Sequence, residues 1–313
     1  MYGATLERED IVLLQVLMRD SRASPEQISE VTGLPAKDVP ERVARMREAG
    51  VIGDMTTKPS LNSLRARSVL VLGRSRLASL DGALHALERN DDVGWLAMAT
   101  GGMMYMALHL REEADTELEV RKAASQALMV QPKALTRDLF QPGLGRHVYH
   151  PDDMRILSSM NRDANKDLKE VAKETGMGIK KVSARFEEMA GRGALDFSVD
   201  FFPDNCDNLL TMLRLEVLET RGLEEKVGRL MEVNAPYILL FNTFSDRPQT
   251  ITSMVLPESL GGLRSILRSF EESGAFAQVE ADLLIGSTIR DTWRDRSLRG
   301  LTPSGGPSSW SPR

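Results

Sequence analysis

Lys180, Lys181 and Arg185 stand in the stretch GMGIKKVSARFEEMAGRGAL, residues 176–195. On a helix Lys181 and Arg185 are i,i+4 neighbours with Lys180 beside them, so three cations share one region. Cations so grouped can meet phosphate oxygens and, where a helix enters a groove, base edges. Alone, such a cluster is most often a solvated basic face. An earlier stretch, GLPAKDVPERVARMREAGVI at 33–52, carries Lys37 and Arg42 at the places of Lys180 and Arg185, at a constant offset of 143 residues. Gly33 faces Gly176, Val39 faces Val182 and Gly50 faces Gly193 at that offset. Asp38 stands where the later stretch has Lys181, and Pro40 and Glu41 replace Ser183 and Ala184. A carboxylate repels phosphate, and proline interrupts a helix outside its first turn. The later stretch is therefore expected to contribute more to nucleic-acid affinity than the earlier one.

Other chemistry-bearing residues are sparse. The histidines are His85, His109, His147 and His150. His147 and His150 form HVYH, an i,i+3 spacing that could hold a metal, but no further Cys or His partner lies nearby in sequence. They read as polar residues at a junction, and no metal is expected. Cys206, the single cysteine, cannot form an internal disulfide and fits a reducing compartment. No phosphate loop, GxSxG elbow or zinc spacing is present. The net charge of −5 counts against a dedicated nucleic-acid binder, although local cations can be hidden in that sum. No run is long and apolar enough to cross a bilayer and no signal peptide opens the chain, so a soluble, cytoplasmic protein is expected.

The elements that must position these residues also repeat. DIVLLQVLMRDSR at 10–22 faces DMRILSSMNRDAN at 153–165, each with apolar residues at helical spacing. Ser24 and Gln27 read as a capping box, and Asp167 with Glu170 as its counterpart. Gly33 and Gly176 close the second helix of each set, and Gly50 and Gly193 the third. Three short helices followed by β-like segments, VIGDMTT and ALDFSVDFF, read as winged helix-turn-helix units. After each comes a strand–helix–strand–strand–helix–strand succession, the ferredoxin-like pattern. The expected class is α+β, with two tandem copies of a winged helix-turn-helix plus a ferredoxin-like βαββαβ domain. The expected boundaries are 1–58 and 59–140 for the first copy, a linker at 141–145, then 146–203 and 204–290, and a disordered Pro/Ser/Gly-rich tail at 291–313.

The stretch LEREDIVLLQVLMRDSRASPEQISEVTGLPAKDVPERVARMREAGVI, with the element order after it, resembles the leucine-responsive/asparagine-regulator (Lrp/AsnC, feast/famine) family. The resemblance covers each half, as a tandem member would. It implies that the third helix of each unit enters the DNA major groove, which favours DNA contact for Lys180, Lys181, Arg185, Lys37 and Arg42. It also implies that the ferredoxin-like (RAM-type) domains self-associate and bind a small effector such as an amino acid. The family's Gly-Asp-type turn reads TGGMMYMA here. Gly101 and Gly102 keep a backbone that a ligand can approach, but the acidic group is absent. Met103, Met104 and Met106 read as strand and core packing.

These readings point to a sequence-specific DNA-binding transcription regulator that is not an enzyme and has no cofactor. Its partners are double-stranded DNA and other copies of itself, with no membrane. One alternative is a regulatory scaffold that does not touch DNA. Another is a sirohaem-type tetrapyrrole decarboxylase of the same architecture, disfavoured because no histidine falls between GVIGDM and LVLG.

Overall fold

The computed structural model describes residues 4–138, 147–219 and 223–299. The expected linker at 141–145 lies outside the described residues, as do positions 300–313 of the expected tail. The chain begins with helices α1 (Arg8–Arg19), α2 (Pro25–Thr32) and α3 (Val39–Glu48). There follow β1 (Ile52–Pro59), β2 (Arg67–Ser75), α4 (Leu80–Ala86), β3 (Val93–Ala99), β4 (Met103–Leu110), α5 (Thr116–Gln126) and β5 (Met129–Asp138). The second half has α6 (Pro151–Met160), α7 (Leu168–Thr175), α8 (Ile179–Gly191) and β6 (Leu195–Phe201). It continues with β7 (Thr211–Val217), α9 (Leu223–Asn234), β8 (Ile238–Thr243), β9 (Thr250–Val255), α10 (Leu260–Glu272), β10 (Phe276–Ile289) and α11 (Trp293–Arg296). This is a mixed α/β protein with an N-terminal helix-turn-helix and a β-sheet body.

Local chemistry sets the helix ends. Ser24 and Gln27 form the reciprocal capping box at α2, and Gly33 ends that helix at φ 74°. Asp167 caps α7 through the Lys169 N–H, so Glu170 does not close the box expected of it. Pro40 falls in the first turn of α3, where its missing N–H costs nothing, and a 3-10 turn at Ala36–Asp38 precedes it. The helix is entered through that turn rather than broken by the proline.

Each three-helix head carries one strand, and the strands of the two heads pair with each other. β1 runs antiparallel to β6 from Ile52↔Phe201 to Pro59↔Leu195. The remaining eight strands form one sheet in the order β5-β2-β4-β3-β10-β7-β9-β8. β10 joins its halves: Phe276–Leu283 pairs with β7, and Leu284–Ile289 pairs with β3. At the opposite edges the sheet bends back on itself without a ladder. There Ser245 N–H donates to the Thr136 carbonyl at 2.9 Å and Thr136 N–H to Asp246 at 2.9 Å.

Period-two alternation then sorts the sheet residues. Val69, Val71, Met104 and Met106 face a core under α4 and α5, so those methionines are core packing as read from sequence. Leu213, Leu215 and Ile251 face α10. The other face gathers Leu72, Tyr105, Leu135, Met212, Phe244 and Met254 into a shared core that also takes Leu13, Leu14 and Leu17 of α1. The first head is thus bolted to the sheet, and the second has its own core of Ile156, Leu157, Val182 and Met189.

Residues 291–299, expected as part of a disordered tail, are ordered. They hold α11, whose Trp293 is buried against Leu61 and Ala66, while Leu298 enters the core of the second head. Tryptophan and leucine at that spacing provide apolar anchors that the Pro/Ser/Gly composition of the tail masks.

Candidate functional site

Where the β1–β6 pair crosses the curved sheet, the two do not fill the space between them, and a cavity of about 720 Å³ remains. Its walls follow the strand period. β1 contributes Thr56 and Lys58, and β6 contributes Asp196, Ser198 and Asp200. From the sheet come Ser68 and Leu70, Ala107 and His109, and Leu240 and Asn242, each pair two residues apart. Trp95, Met212, Phe244 and Met254 supply an apolar floor, and Arg294 and Asp295 close one side.

His109 is the chemical centre of that side. No hydrogen-bond partner meets its buried Nδ1. Burial, reinforced by the charges of Arg294 and Lys58, pushes its pKa down to about 3, so the ring is neutral at physiological pH. The site depends on Gly94: a Cβ there would lie 2.8 Å from His109 Cδ2. Sequence reading passed His109 over because its isolated place in MMYMALHL carries no motif, and its neighbours arrive from residues as distant as Arg294.

Around it the cations are mostly paired. Lys58 Nζ lies 2.6 Å from Asp295, and Arg294 lies 2.5 Å from Asp196. Arg162 is shared among Asp291 at 3.1 Å, Asp200 at 3.3 Å and Asp54 at 3.4 Å. Asp295 is pushed up by burial but held down to about 2, mainly by Lys58. Asp200 goes the other way. Burial raises it to about 6, with Asp54 and Asp295 adding repulsion and Lys58 and Arg162 opposing. The cavity therefore contains a neutral imidazole and a carboxyl that exchanges its proton near neutrality, a combination suited to binding or proton transfer. At the far end Arg137 donates to Asn242 at 2.9 Å.

The residues singled out from sequence fall elsewhere. Gly101 and Gly102 adopt φ 72° and 76° at the β3–β4 turn and do not line the cavity. Arg42 bonds Asp10 at 2.8 Å and Glu7 at 3.0 Å. Arg185 grips the fully buried Asp153 through two nitrogens, at 2.5 and 2.7 Å, and also meets Glu188 at 2.7 Å. Both arginines therefore fasten the third helix to the first. Lys181 lies 2.5 Å from Asp152. Lys37 and Lys180 are exposed and have no ion-pair partner among the described residues. The HVYH pair is structural: His147 meets Asp153 at 3.3 Å, and His150 caps α6. Among the described residues no cluster is arranged to hold a metal ion, and no helix is long and apolar enough to cross a membrane.

Comparison with known proteins adds the following. Residues 8–47 match the AsnC-type helix-turn-helix domain. The fold resembles the crystal structure of the siroheme decarboxylase NirDL, with a TM-score of 0.62 at 12% identity over 94% of this chain and 97% of that one. The same protein in complex with an iron-uroporphyrin III analogue gives 0.62 over 93% and 96%, also at 12% identity. Escherichia coli AsnC aligns with 44% of this chain and 93% of its own at 15% identity and a TM-score of 0.38. No curated protein matches the sequence. The exclusion of an enzyme drawn from the sequence is corrected by the second finding. An enzyme is built on this architecture across nearly its whole length, so absent motifs give no ground for that exclusion.

Proposed function

We propose that the chain is a DNA-binding transcription regulator made of two tandem copies of one helix-turn-helix plus ferredoxin-like unit, with a small organic effector in the central cavity. The observation that carries this reading is the AsnC-type helix-turn-helix at 8–47, in which Lys37, in the 3-10 turn that leads into the third helix, and Arg47 on that helix are exposed. Of the five cations singled out from sequence, Lys37 and Lys180 are the ones with no ion-pair partner among the described residues, while Arg42 and Arg185 act by holding their helices in place. Because β1 and β6 hang from the two heads and both wall the cavity, a ligand that favours one placement of these strands shifts the heads. On this reading the protein works in the cytoplasm on double-stranded DNA, and pairing with a second chain is through the sheets. Binding to pooled genomic fragments across a salt series tests it, comparing wild type with Lys37→Ala/Lys180→Ala. Affinity that falls with salt, less steeply in the variant, supports it; no binding at low salt overturns it.

One observation favours a second reading, decarboxylation of a sirohaem-type polycarboxylate. The cavity lies in the range of about 300–1,000 Å³ typical of small-molecule and cofactor sites, and His109 and Asp200 both face it. When a carbon–carbon bond breaks and carbon dioxide leaves, the electron pair left on carbon takes a proton, which Asp200 can supply below about pH 6. Titration with sirohaem, followed by its absorbance and by the mass of the product, tests this. An unchanged spectrum and mass remove it.

A further inference from the structure

Beyond β10 the chain leaves the sheet, passes the cavity and reaches the second head. The strands that wall the cavity are held in hydrogen-bonded ladders, whereas residues 290–299 are fastened differently. Two backbone bonds tie them to the body, Arg290 N–H to the Gly94 carbonyl and Trp293 N–H to the Asp91 carbonyl, both at 2.8 Å. Trp293 then sits in a small cluster with Leu61 and Ala66, apart from the four larger cores. Its Nε1 donates to the His109 carbonyl at 2.6 Å, and the Arg111 guanidinium lies 4.6 Å from its ring. The remaining fasteners include the Lys58–Asp295 and Arg294–Asp196 pairs and Leu298, whose carbonyl accepts from Ser158 at 2.6 Å. A segment held by a small apolar cluster, one leucine in the second head's core, side-chain bonds and ion pairs, with only two backbone bonds to the body, opens at lower cost than a sheet ladder.

We propose that Arg290–Arg299 is a strap that opens as a unit to admit the ligand of the cavity. It is suited to this because Arg294 and Asp295 form a wall, while Trp293 and Leu298 anchor the strap on either side of it. Its inner side also holds the backbone of His109, so closing the strap sets the position of that ring. Since Leu298 belongs to the core of the second head, an open strap is felt there as well.

The strap inference rests on the cavity being a ligand site, but its opening is measured without ligand or DNA, so the two can fail separately. The readouts are amide hydrogen exchange of 290–299 and the association rate of anilinonaphthalenesulfonate, an apolar fluorescent anion. Lys58→Met leaves the Asp295 carboxylate buried without its cation, and exchange of 290–299 is expected to rise roughly a hundredfold while the β3–β10 ladder stays protected. Probe association should speed up in parallel. Lys58→Met/Asp295→Asn removes both charges and should restore slow exchange and slow association, which a misfolded variant would not do. Exchange of 290–299 as slow as the ladder in the single variant overturns the proposal. Faster exchange with unchanged probe association overturns it too, because the cavity is then entered elsewhere.

Discussion

In the first head Asp10 is held by two arginines of the third helix, Arg42 at 2.8 Å and Arg45 at 2.7 Å. In the second head the matching Asp153 is gripped by one arginine, Arg185, with His147 as its other side-chain partner. Both carboxylates are fully buried, and each also accepts the backbone N–H that opens its first helix, from Glu7 and His150 respectively. Burial pushes Asp153 up, yet Arg185, the His150 N–H and His147 together bring it below its ordinary value. The comparison teaches that some cations on a DNA-type third helix are spent inside the head. Only those left over can meet phosphate, and the heads differ in how much redundancy remains when one is lost.

The largest expected effect comes from removing the sole guanidinium. Arg185→Ala strips Asp153 of its bidentate partner and should cost about 3 kcal/mol in denaturant unfolding. Arg42→Ala leaves Arg45 on Asp10 and should cost less, about 1 kcal/mol. Equal losses would break the distinction between a single and a doubled clamp.

A second difference lies on the paired strands. Asp200 of β6 occupies the place that Thr57 has on β1. The folded pKa of Asp200, about 6, lies above its ordinary value of 3.8. Its contribution is therefore full below pH 4 and is lost as the pH rises through 6, by about 2–3 kcal/mol. Asp200→Asn should flatten stability against pH over that window, and an unchanged profile would show that the carboxyl ionises freely in the fold.

Next in size is DNA affinity. Lys180→Ala removes one exposed cation and should reduce the salt slope of binding by about 1, and Lys37→Ala should reduce it by less. Unequal effects, with Lys180 the greater, are expected because Lys37 neighbours Asp38, which repels phosphate. Equal effects would make the heads alike toward DNA. The smallest effect belongs to the N-cap of α6: His150→Ala should cost about 0.5 kcal/mol in unfolding free energy, and no loss would remove the cap from the account.

Much of the fold was legible because its signals are local. Capping residues at Ser24 and Asp167, positive-φ glycines at 33 and 176, and apolar alternation in the strands each act within a few residues. The pairing of β1 with β6 was not legible, since it depends on how two distant heads meet. The cavity was hidden for the same reason: Lys58, His109, Asp200 and Arg294 come from four separate elements and share no motif. The sequence did bring Arg42 and Arg185 forward, but by charge and spacing alone. Their buried carboxylate partners, Asp10 and Asp153, lie in a different helix, and only the packing of that helix assigns the arginines to structure.

β10 has a consequence for how the chain is made. Its later residues pair with β3, so that Ile289 lies beside Trp95, a contact between residues far apart along the chain. During synthesis the first half can form its helices and strands β2–β5, but β3 remains an open edge until β10 has left the ribosome. Contacts of such long separation form late and slowly, and an unpaired edge in the meantime invites pairing with other chains. Refolding should therefore show a slow phase in which β3 gains protection after β2 and β4, and its yield should fall as protein concentration rises.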